Sequence, residues 1–276
     1  MNLKYSVLMS VYINEKADYL SKSIESMINQ SLKPDEIILM IDGPLTQDLN
    51  TVVEMYETKN LIKVIRNETN IGLGKSLHKG LLECKNEFIA RMDSDDISIP
   101  NRCEKQVKFL NENSDISVIG TALIEFINNE ENILYRKEVV TNHVDIAHQI
   151  KFKNPINHPT VMFRKKHVLD SGNYLDFYLN EDYYLWIRMY LKGYKFSNLN
   201  ENLLKMRIDD NTYLRRGGYK YYVAQKNLFK FMLNKKIISK KEYLFNNLSR
   251  FIIRVCIPNN IRKNLYTRYL RKGIKL

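Results

Sequence analysis

The first half of the chain alternates short apolar runs with segments in which apolar residues recur every three or four positions. Short, continuous, β-rich runs are typical of buried strands, and the periodic segments are typical of helices with one apolar face. The predicted strands are YSVLMSVY (5–12), EIILMIDG (36–43), LIKVIRN (61–67), EFIARMD (87–93) and ISVIGTALIEFI (116–127). The predicted helices are 15–29, 72–84 and 100–112.

This alternation predicts an α/β fold in which βαβ units build a mostly parallel central sheet flanked by helices. Ligands of such sheets bind beyond the carboxyl ends of the strands. Asp42 and Asp93 each end a predicted strand, and residues 12–14 follow another. We therefore expect three polar strand ends to meet on one side of the sheet.

The second half of the chain has a weaker pattern. HPTVMF (158–163) is a candidate strand, EDYYLWIRMYLKG (181–193) a candidate helix, and two short strands are candidates within 194–208. KEYLFNNLSRFIIRVC (241–256) carries one apolar stripe at helical spacing. That stripe consists of Leu244, Leu248, Phe251, Ile252 and Val255.

Charge divides the chain unevenly. Residues 219–276 carry fifteen lysines or arginines and one acid, a charge of +14, which leaves −2 for residues 1–218 out of a total of +12. We therefore predict a body at 1–218 and a basic helical C-terminal extension at 219–276.

Composition excludes several classes of protein. The chain has enough apolar residues for a core, at 44%, and no uncharged apolar run long enough for a transmembrane helix. No signal peptide is expected. The three cysteines are far apart, which argues against a zinc site or a disulfide framework and fits a reducing cytoplasm.

Three carboxylates, Asp93, Asp95 and Asp96, fall within four residues at the end of the fourth predicted strand. Like charges at that spacing repel each other unless a cation or several N–H groups compensate. Mn²⁺ and Mg²⁺ prefer oxygen ligands and often share them with substrate phosphates. A solvated turn is the alternative, since aspartate and serine also favour turns.

Several motifs together resemble the family 2 glycosyltransferases, which have the nucleotide-sugar-binding GT-A fold. They are SVLMSVYINE, IDG (41–43), NIGLGKSLHKGL (70–81), RMDSDD (91–96), NHPTVMF (157–163), NEDYYLWIRM (180–189) and RRGG (215–218). The resemblance covers roughly residues 5–218 and is closest to the bacterial exopolysaccharide, capsule and O-antigen enzymes of the amylovoran type.

The resemblance implies inverting transfer of a hexose or N-acetylhexosamine from a UDP-sugar to a saccharide acceptor that is lipid-linked. It implies that Asp42 would accept the uracil N3–H, although a turn aspartate before Gly43 is the alternative. Asp93 would approach the ribose or donor sugar, and Asp95 would hold Mn²⁺ or Mg²⁺ with Asp93 and Asp96 as further ligands. The other implied donor-site residues are Ser10, Val11, Tyr12, Glu15, Asn70, Gly72 and Ser94.

The acidic pair Glu181 and Asp182 matches the family's catalytic pair. Inversion requires a base next to the acceptor hydroxyl, on the face opposite the leaving group. The resemblance assigns that role to Asp182, with Glu181 as its neighbour. Without the family context, two acids at a helix N-terminus would be explained by the helix dipole.

Other residues remain open between two interpretations. His158 either lines the donor or acceptor pocket or is structural. Trp186 and Tyr183 form either an acceptor platform or part of the core. The arginines that either pair with the diphosphate or belong to a solvated loop are Arg207, Arg215 and Arg216.

The basic extension has the pattern of an amphipathic helix at a membrane surface. Packing of that helix on the body is the alternative, and nucleic acid is a less favoured partner because no nucleic-acid motif accompanies the charge. We expect a cytoplasmic enzyme bound peripherally to the inner face of the cytoplasmic membrane. Two other functions compete: a sugar nucleotidyltransferase, which usually needs a glycine-rich loop that SVYINEKAD lacks, and a non-catalytic nucleic-acid-binding module.

Overall fold

A computed structural model describes residues 3–209, 217–258 and the short strand at 272–273. The strands are β1 (Tyr5–Val11), β2 (Glu36–Asp42), β3 (Lys63–Asn67), β4 (Phe88–Asp93), β5 (Ile97–Ser98), β6 (Ile116–Phe126), β7 (Ile133–Lys137), β8 (Met162–Arg164), β9 (Lys195–Arg207) and β10 (Lys272–Gly273). The helices are α1 (Ala17–Ile28), α2 (Gln47–Glu57), α3 (Leu73–Glu83), α4 (Arg102–Glu112), α5 (His143–Gln149), α6 (Lys165–Asp170), α7 (Glu181–Leu191), α8 (Gly218–Asn234) and α9 (Lys240–Phe251), which a π-helical turn (Ile252–Cys256) continues.

The sheet has the order β10-β7-β6-β8-β4-β1-β2-β3. The four strands β4, β1, β2 and β3 pair in parallel, and helices connect them. The other half is mixed, because β8 runs antiparallel to both of its neighbours while β9 pairs with β6 in parallel. The predicted α/β fold with a mostly parallel sheet flanked by helices is confirmed.

Some predicted elements differ from the observed ones. The two short strands expected within 194–208 form the single strand β9, and the candidate strand at 158–163 starts as a 3-10 turn, His158–Thr160. Helix α2 was not predicted, because only Leu49, Val53 and Tyr56 on its inner face are buried within a polar segment.

The core lies on both faces of the sheet, since alternate residues of a strand point to opposite sides. In β1, Val7 and Met9 pack on the side of α1, α2 and α4, whereas Leu8 packs on the side of α3 and α7. Helix α8 adds Leu228, Phe229 and Met232 to the part of the core that contains Leu8. The predicted boundary at residue 218 divides the chain by net charge, but the hydrophobic core continues across it. The division into two domains stays a prediction.

The apolar stripe of α9 lies on the surface. Leu244 and Leu248 are 65% and 63% exposed, and the other members of the stripe are 37% to 44% exposed. Asn246, on the opposite side of the helix, is fully buried. The helix packs on the body through its other face, where Asn246 donates a hydrogen bond to the Lys151 carbonyl, and the Phe251 ring of the stripe lies 5.4 Å from the Tyr222 ring of α8. Docking of the stripe on a membrane therefore stays a prediction. In the described ranges, no helix combines the length and apolarity that a bilayer crossing requires.

The backbone of Gly43, just after β2, lies close to the loop at residues 70–72. Its φ is +88°, and a Cβ there would lie 2.6 Å from the backbone nitrogen of Asn70. Gly193 has a similar φ of +82° with nothing within 4 Å of its Cβ position. We expect Gly193→Ala to lower the free energy of unfolding by about 1–2 kcal/mol, the usual cost of a left-handed alanine.

Gly43→Ala should cost about 1–3 kcal/mol more, because the added methyl group also forces the 70–72 loop to move. Urea denaturation of both variants measures the difference. Equal losses would show that the loop accommodates the methyl group.

Candidate active site

The carboxyl ends of β1, β2 and β4 meet as the sequence predicts. Ser10 lies opposite Asp93, and Val11 lies opposite Ile41. Beyond β1, a turn joins the Glu15 N–H to the Tyr12 carbonyl, and Glu15 then accepts a 2.7 Å hydrogen bond from the Ser94 hydroxyl. The structure thus brings the predicted residues of the first and fourth strand ends together, with Tyr12 exposed at 37%.

Asp42 is almost fully buried at the end of β2 and holds the following loop. Its Oδ1 accepts hydrogen bonds from the Ile71 amide at 2.8 Å and the Asn67 side chain at 3.2 Å, and its Oδ2 accepts one from the Gly72 amide at 2.9 Å. Asn70 is exposed beside this loop. Asp42 therefore shapes the loop predicted to face the base, and its contact with uracil stays a prediction.

The aspartates after β4 form a compact group, with carboxylate oxygens of Asp93, Asp95 and Asp96 within 4.8 Å of one another. Asp96 is 1% exposed, and its Oδ1 accepts a hydrogen bond from the Arg207 amide at 2.9 Å. Burial raises the pKa of Asp95 to about 7, with the charges of Asp93 and Glu15 adding to the rise. Burial and its two aspartate neighbours also raise the pKa of Asp96 well above its usual range.

These residues fit a divalent cation. The Asp96 Oδ2 atom is buried and has no hydrogen-bond partner among the described residues. A buried carboxylate oxygen without a donor is costly, and a cation beside it would remove that cost. The three carboxylates supply hard oxygen ligands of the kind that Mn²⁺ and Mg²⁺ bind.

A buried arginine that the sequence analysis did not single out compensates part of this charge. Arg91 in β4 is 2% exposed and forms an ion pair with Asp93. Its Nε and Nη1 atoms have no hydrogen-bond partner in the described ranges. An arginine inside an otherwise apolar strand, two residues before an aspartate cluster, was a signal in the sequence that could have revealed it.

Arg207 contacts the loop after β4 that carries the three aspartates. Its guanidinium lies 3.7 Å from the ring centroid of Tyr19 and 4.5 Å from that of Phe126, and its Nε donates to the Asp95 carbonyl at 3.1 Å. It is 9% exposed and therefore not part of a solvated loop. Its pairing with a diphosphate stays a prediction, and Arg215 and Arg216 lie outside the described residues.

The second acidic group begins helix α7. Asp182 accepts hydrogen bonds from the Asn154 side chain at 2.6 Å and from the Tyr183 amide at 2.7 Å, which fix its carboxylate. Gly74 of α3 lets α7 approach, because its Cβ position would be 3.3 Å from the Glu181 Cβ. Burial, with the charge of Asp182, raises the pKa of Glu181 to about 7.

His158 lies on the wall of a cavity that Asp182 also lines. Its Nε2 is 2.9 Å from the Tyr174 hydroxyl, and burial together with the Arg91 charge holds its pKa well below the usual range. The imidazole is therefore neutral at physiological pH. The residues Asn154 and Tyr174 belong to no motif in the sequence, and only the fold brings them to this site.

Trp186 and Tyr183 belong to the core rather than to an acceptor platform. Trp186 is fully buried and Tyr183 is 3% exposed. The Tyr183 hydroxyl donates to the Ile150 carbonyl at 2.5 Å, which ties α7 to the segment before Asn154.

An α/β sheet with an aspartate cluster at its strand ends and a second acidic pair nearby fits a sugar-transferring enzyme of the GT-A type, and comparisons with known proteins support that class. The model of the family described as "Glycosyl transferase family 2" matches residues 6–172. This chain belongs to glycosyltransferase family 2. The assignment favours neither the nucleotidyltransferase nor the nucleic-acid-binding alternative.

Several relatives match nearly the whole chain. The amylovoran biosynthesis glycosyltransferase AmsE of Erwinia amylovora is 34% identical over 98% of this chain and 100% of its own length. The UDP-Gal:alpha-D-GlcNAc-diphosphoundecaprenol beta-1,3-galactosyltransferase of Escherichia coli is 32% identical over 98% of this chain and 97% of its own. The first of these relatives agrees with the amylovoran-type branch predicted from the motifs.

A solved structure shares the fold. The crystal structure of S. aureus TarS 1-349 in complex with UDP-GlcNAc superposes with a TM-score of 0.66 at 20% identity, covering 97% of this chain and 76% of that one. The similarity confirms the GT-A fold.

The raised pKa of Glu181 predicts a pH-dependent stability. An unfolded glutamate has a pKa of about 4.3, so the folded state binds this proton more tightly. The stability that the bound proton provides is complete below about pH 4 and is lost as pH rises through 7. Relative to Glu181→Gln, which cannot ionise, the wild-type protein should become less stable between pH 4.5 and 8.

Urea denaturation of both proteins, without added metal, at several pH values in this range measures the effect. Two stability curves that stay parallel across the range would contradict the raised pKa.

Proposed function

We propose that this glycosyltransferase inverts the anomeric centre as it transfers a hexose or N-acetylhexosamine from a UDP-sugar to a lipid-linked saccharide in bacterial surface polysaccharide synthesis. The observation that carries the proposal is the pair of acidic groups, the aspartates after β4 and Glu181–Asp182 at the start of α7. One suits the donor diphosphate and the other the acceptor hydroxyl. The printed name of the E. coli relative, with its UDP-Gal donor and diphosphoundecaprenol-linked acceptor, supports this choice of substrates.

The donor would lie across the ends of β1, β2 and β4. The nucleotide would contact Ser10, Val11 and Tyr12, and the loop held by Asp42 would close over the base. Glu15 and Ser94, which hydrogen-bond to each other, form the next part of the same wall. Asp93 is oriented by Arg91 and would face the ribose or the sugar.

A divalent cation, Mn²⁺ or Mg²⁺, would be held by Asp95 and Asp96, with Asp93 beside them. When bound, it offsets the negative charge that develops on the departing UDP diphosphate. The protein contributes the rigid loop, because Arg207 fixes both the Asp95 carbonyl and the Asp96 carboxylate.

Asp182 would act as the base. The acceptor hydroxyl oxygen forms a bond to the anomeric carbon while the bond from that carbon to the UDP oxygen breaks, and the hydroxyl proton passes to the Asp182 carboxylate. Hydrogen bonds from Asn154 and the Tyr183 amide hold this carboxylate in place for the transfer. The neutral His158 would line the acceptor pocket, where it adds no charge that competes with the base.

The role of Asp182 is tested with Asp182→Asn, which keeps the shape of the side chain but cannot take up the proton. Release of UDP from a UDP-sugar in the presence of Mn²⁺ and a lipid-linked acceptor should fall by roughly 10²–10⁴. UDP affinity should persist, since the base faces the acceptor.

The matched control is Asp48→Asn. Asp48 is also an acid in the first turn of a helix, but it belongs to α2 and is exposed. If Asp182 acts only through the helix dipole, both variants would change stability slightly and leave turnover intact.

We further propose that α9 docks on the cytoplasmic face of the membrane, where the lipid-linked acceptor would be met. Its exposed apolar stripe lies beside Lys240 and Lys241, which are also exposed, and the extension as a whole carries +14. Anionic lipid attracts basic residues near the surface by about 1 kcal/mol each, and apolar side chains add their burial. A lipid surface matches both features of this face.

Cosedimentation with anionic vesicles tests this docking. Leu244→Gln/Leu248→Gln removes apolar area from the stripe and should weaken binding by roughly tenfold or more, since each buried leucine contributes about 1.5–3 kcal/mol. Leu82→Gln is the control, because Leu82 is 55% exposed on α3. It should bind like the wild-type protein.

Equal sedimentation of all three proteins would contradict membrane docking. A change from dimer to monomer in the stripe variant, seen by size-exclusion chromatography, would instead assign the stripe to a second copy of the chain.

A further inference from the structure

A cavity of about 480 Å³ lies between the catalytic body and the C-terminal helices. Asp182 and His158 line it on the side of the body, and Tyr221 and Gln225 of α8 line it on the other side. The proposed base therefore opens into a space that the basic extension helps to build. A substrate that reaches Asp182 through this space must pass the residues of the extension.

Most of the charged residues that line this cavity are basic. Its wall contains the four cations Lys137, Lys153, Arg250 and Arg254, against the two acids Glu138 and Asp182. His158 adds no charge, because burial keeps it neutral. Counting these four cations against the two acids leaves an excess of two positive charges, which favours an anionic ligand in the cavity.

Helix α9 and its π-helical turn direct their arginines inward and their leucines outward, the reverse of an ordinary surface helix. Arg250 donates to the Phe152 carbonyl and lies 4.8 Å over the Phe229 ring, and Arg254 lies 5.1 Å over the Tyr221 ring. The leucines of the stripe are exposed instead. A helix whose charged side faces a cavity is suited to binding an anion there.

The segment 150–154 links these cations to the base. Asn154 donates to Asp182, the Ile150 carbonyl accepts from the Tyr183 hydroxyl, and the Phe152 carbonyl accepts from Arg250. Lys153 lies between Phe152 and Asn154 and is exposed. Residues 150–154 therefore contact both Arg250 of the cavity wall and Asp182, the carboxylate that would receive the acceptor proton.

We propose that this cavity is the acceptor subsite and that Lys137, Lys153, Arg250 and Arg254 bind the diphosphate that links the acceptor saccharide to its lipid. The inference rests on the proposed function, since it assumes an acceptor of that kind. The saccharide lies toward Asp182, the diphosphate among the cations, and the lipid continues along the apolar face of α9. Arginine and lysine donate charge-assisted hydrogen bonds to phosphate oxygens, which makes a diphosphate the anion that fits this wall.

Calorimetric titration with geranyl diphosphate tests the subsite directly. UDP and Mn²⁺ are present at saturation, so the donor diphosphate site is occupied and cannot bind the probe. The double variant Lys137→Gln/Lys153→Gln should lose about tenfold or more in affinity for the probe, since a hydrogen bond to a charged group contributes enough for such a factor. Geraniol, which lacks the diphosphate, should bind equally to the variant and the wild type.

The matched control is Lys226→Gln/Lys230→Gln, which removes the same charge from exposed positions of α8 that do not line the cavity. It should bind the probe like the wild-type protein. The UDP affinity of each variant shows whether the fold and donor site are intact. Failure of the wild type to bind the probe, or equal losses in both double variants, would overturn the proposal.

The two proposals fail separately. If UDP-sugar turnover persists while geranyl diphosphate binding does not depend on the cavity lysines, the enzyme function stands and the acceptor subsite is wrong. If the cavity lysines bind the probe but no sugar transfer occurs, the anion-binding subsite stands and the proposed enzyme function is wrong.

Discussion

The structure depends on how the chain compensates the negative charge crowded at the carboxyl ends of its parallel strands. Asp93, Asp95 and Asp96 lie in one group, and Arg91 beneath them is the buried cation that pairs with Asp93. Arg207 then fixes the loop through the Asp95 carbonyl and the Asp96 carboxylate. One carboxylate oxygen of Asp96 is still without a donor among the described residues, which leaves room for a further cation. The described residues therefore compensate only part of the negative charge of the three aspartates.

The C-terminal extension helps to build the cavity that Asp182 lines. Helix α8 shares the core of the body through Leu228, Phe229 and Met232, so α9 is held in a defined place beside Asp182. With its arginines facing the cavity and its leucines facing outward, α9 would let one helix serve a membrane surface and an anionic acceptor together. Catalysis and docking would then be coupled by packing rather than by a flexible tether.

The sequence predicted most of the fold because its strongest signals are local and periodic. Strands β1, β2 and β4, and helices α1, α3 and α4, come from apolar patterns that packing preserves. The aspartate cluster and the acidic pair came from motifs. What the sequence did not reveal depends on contacts between distant segments: the Arg91–Asp93 pair inside the sheet, the hydrogen bond from Asn154 to Asp182 and the inward arginines of α9. A polar segment with few inner apolar residues likewise concealed α2.

The central claim is that the aspartate group needs a divalent cation to hold the donor diphosphate. Calorimetric titration of UDP with and without Mn²⁺, on the wild-type protein and on Asp95→Asn, tests it most directly. The account predicts tight UDP binding by the wild type only when Mn²⁺ is present, and loss of that Mn²⁺-dependent gain in Asp95→Asn with the fold intact. Equal UDP affinity with and without Mn²⁺ in the wild type would contradict it.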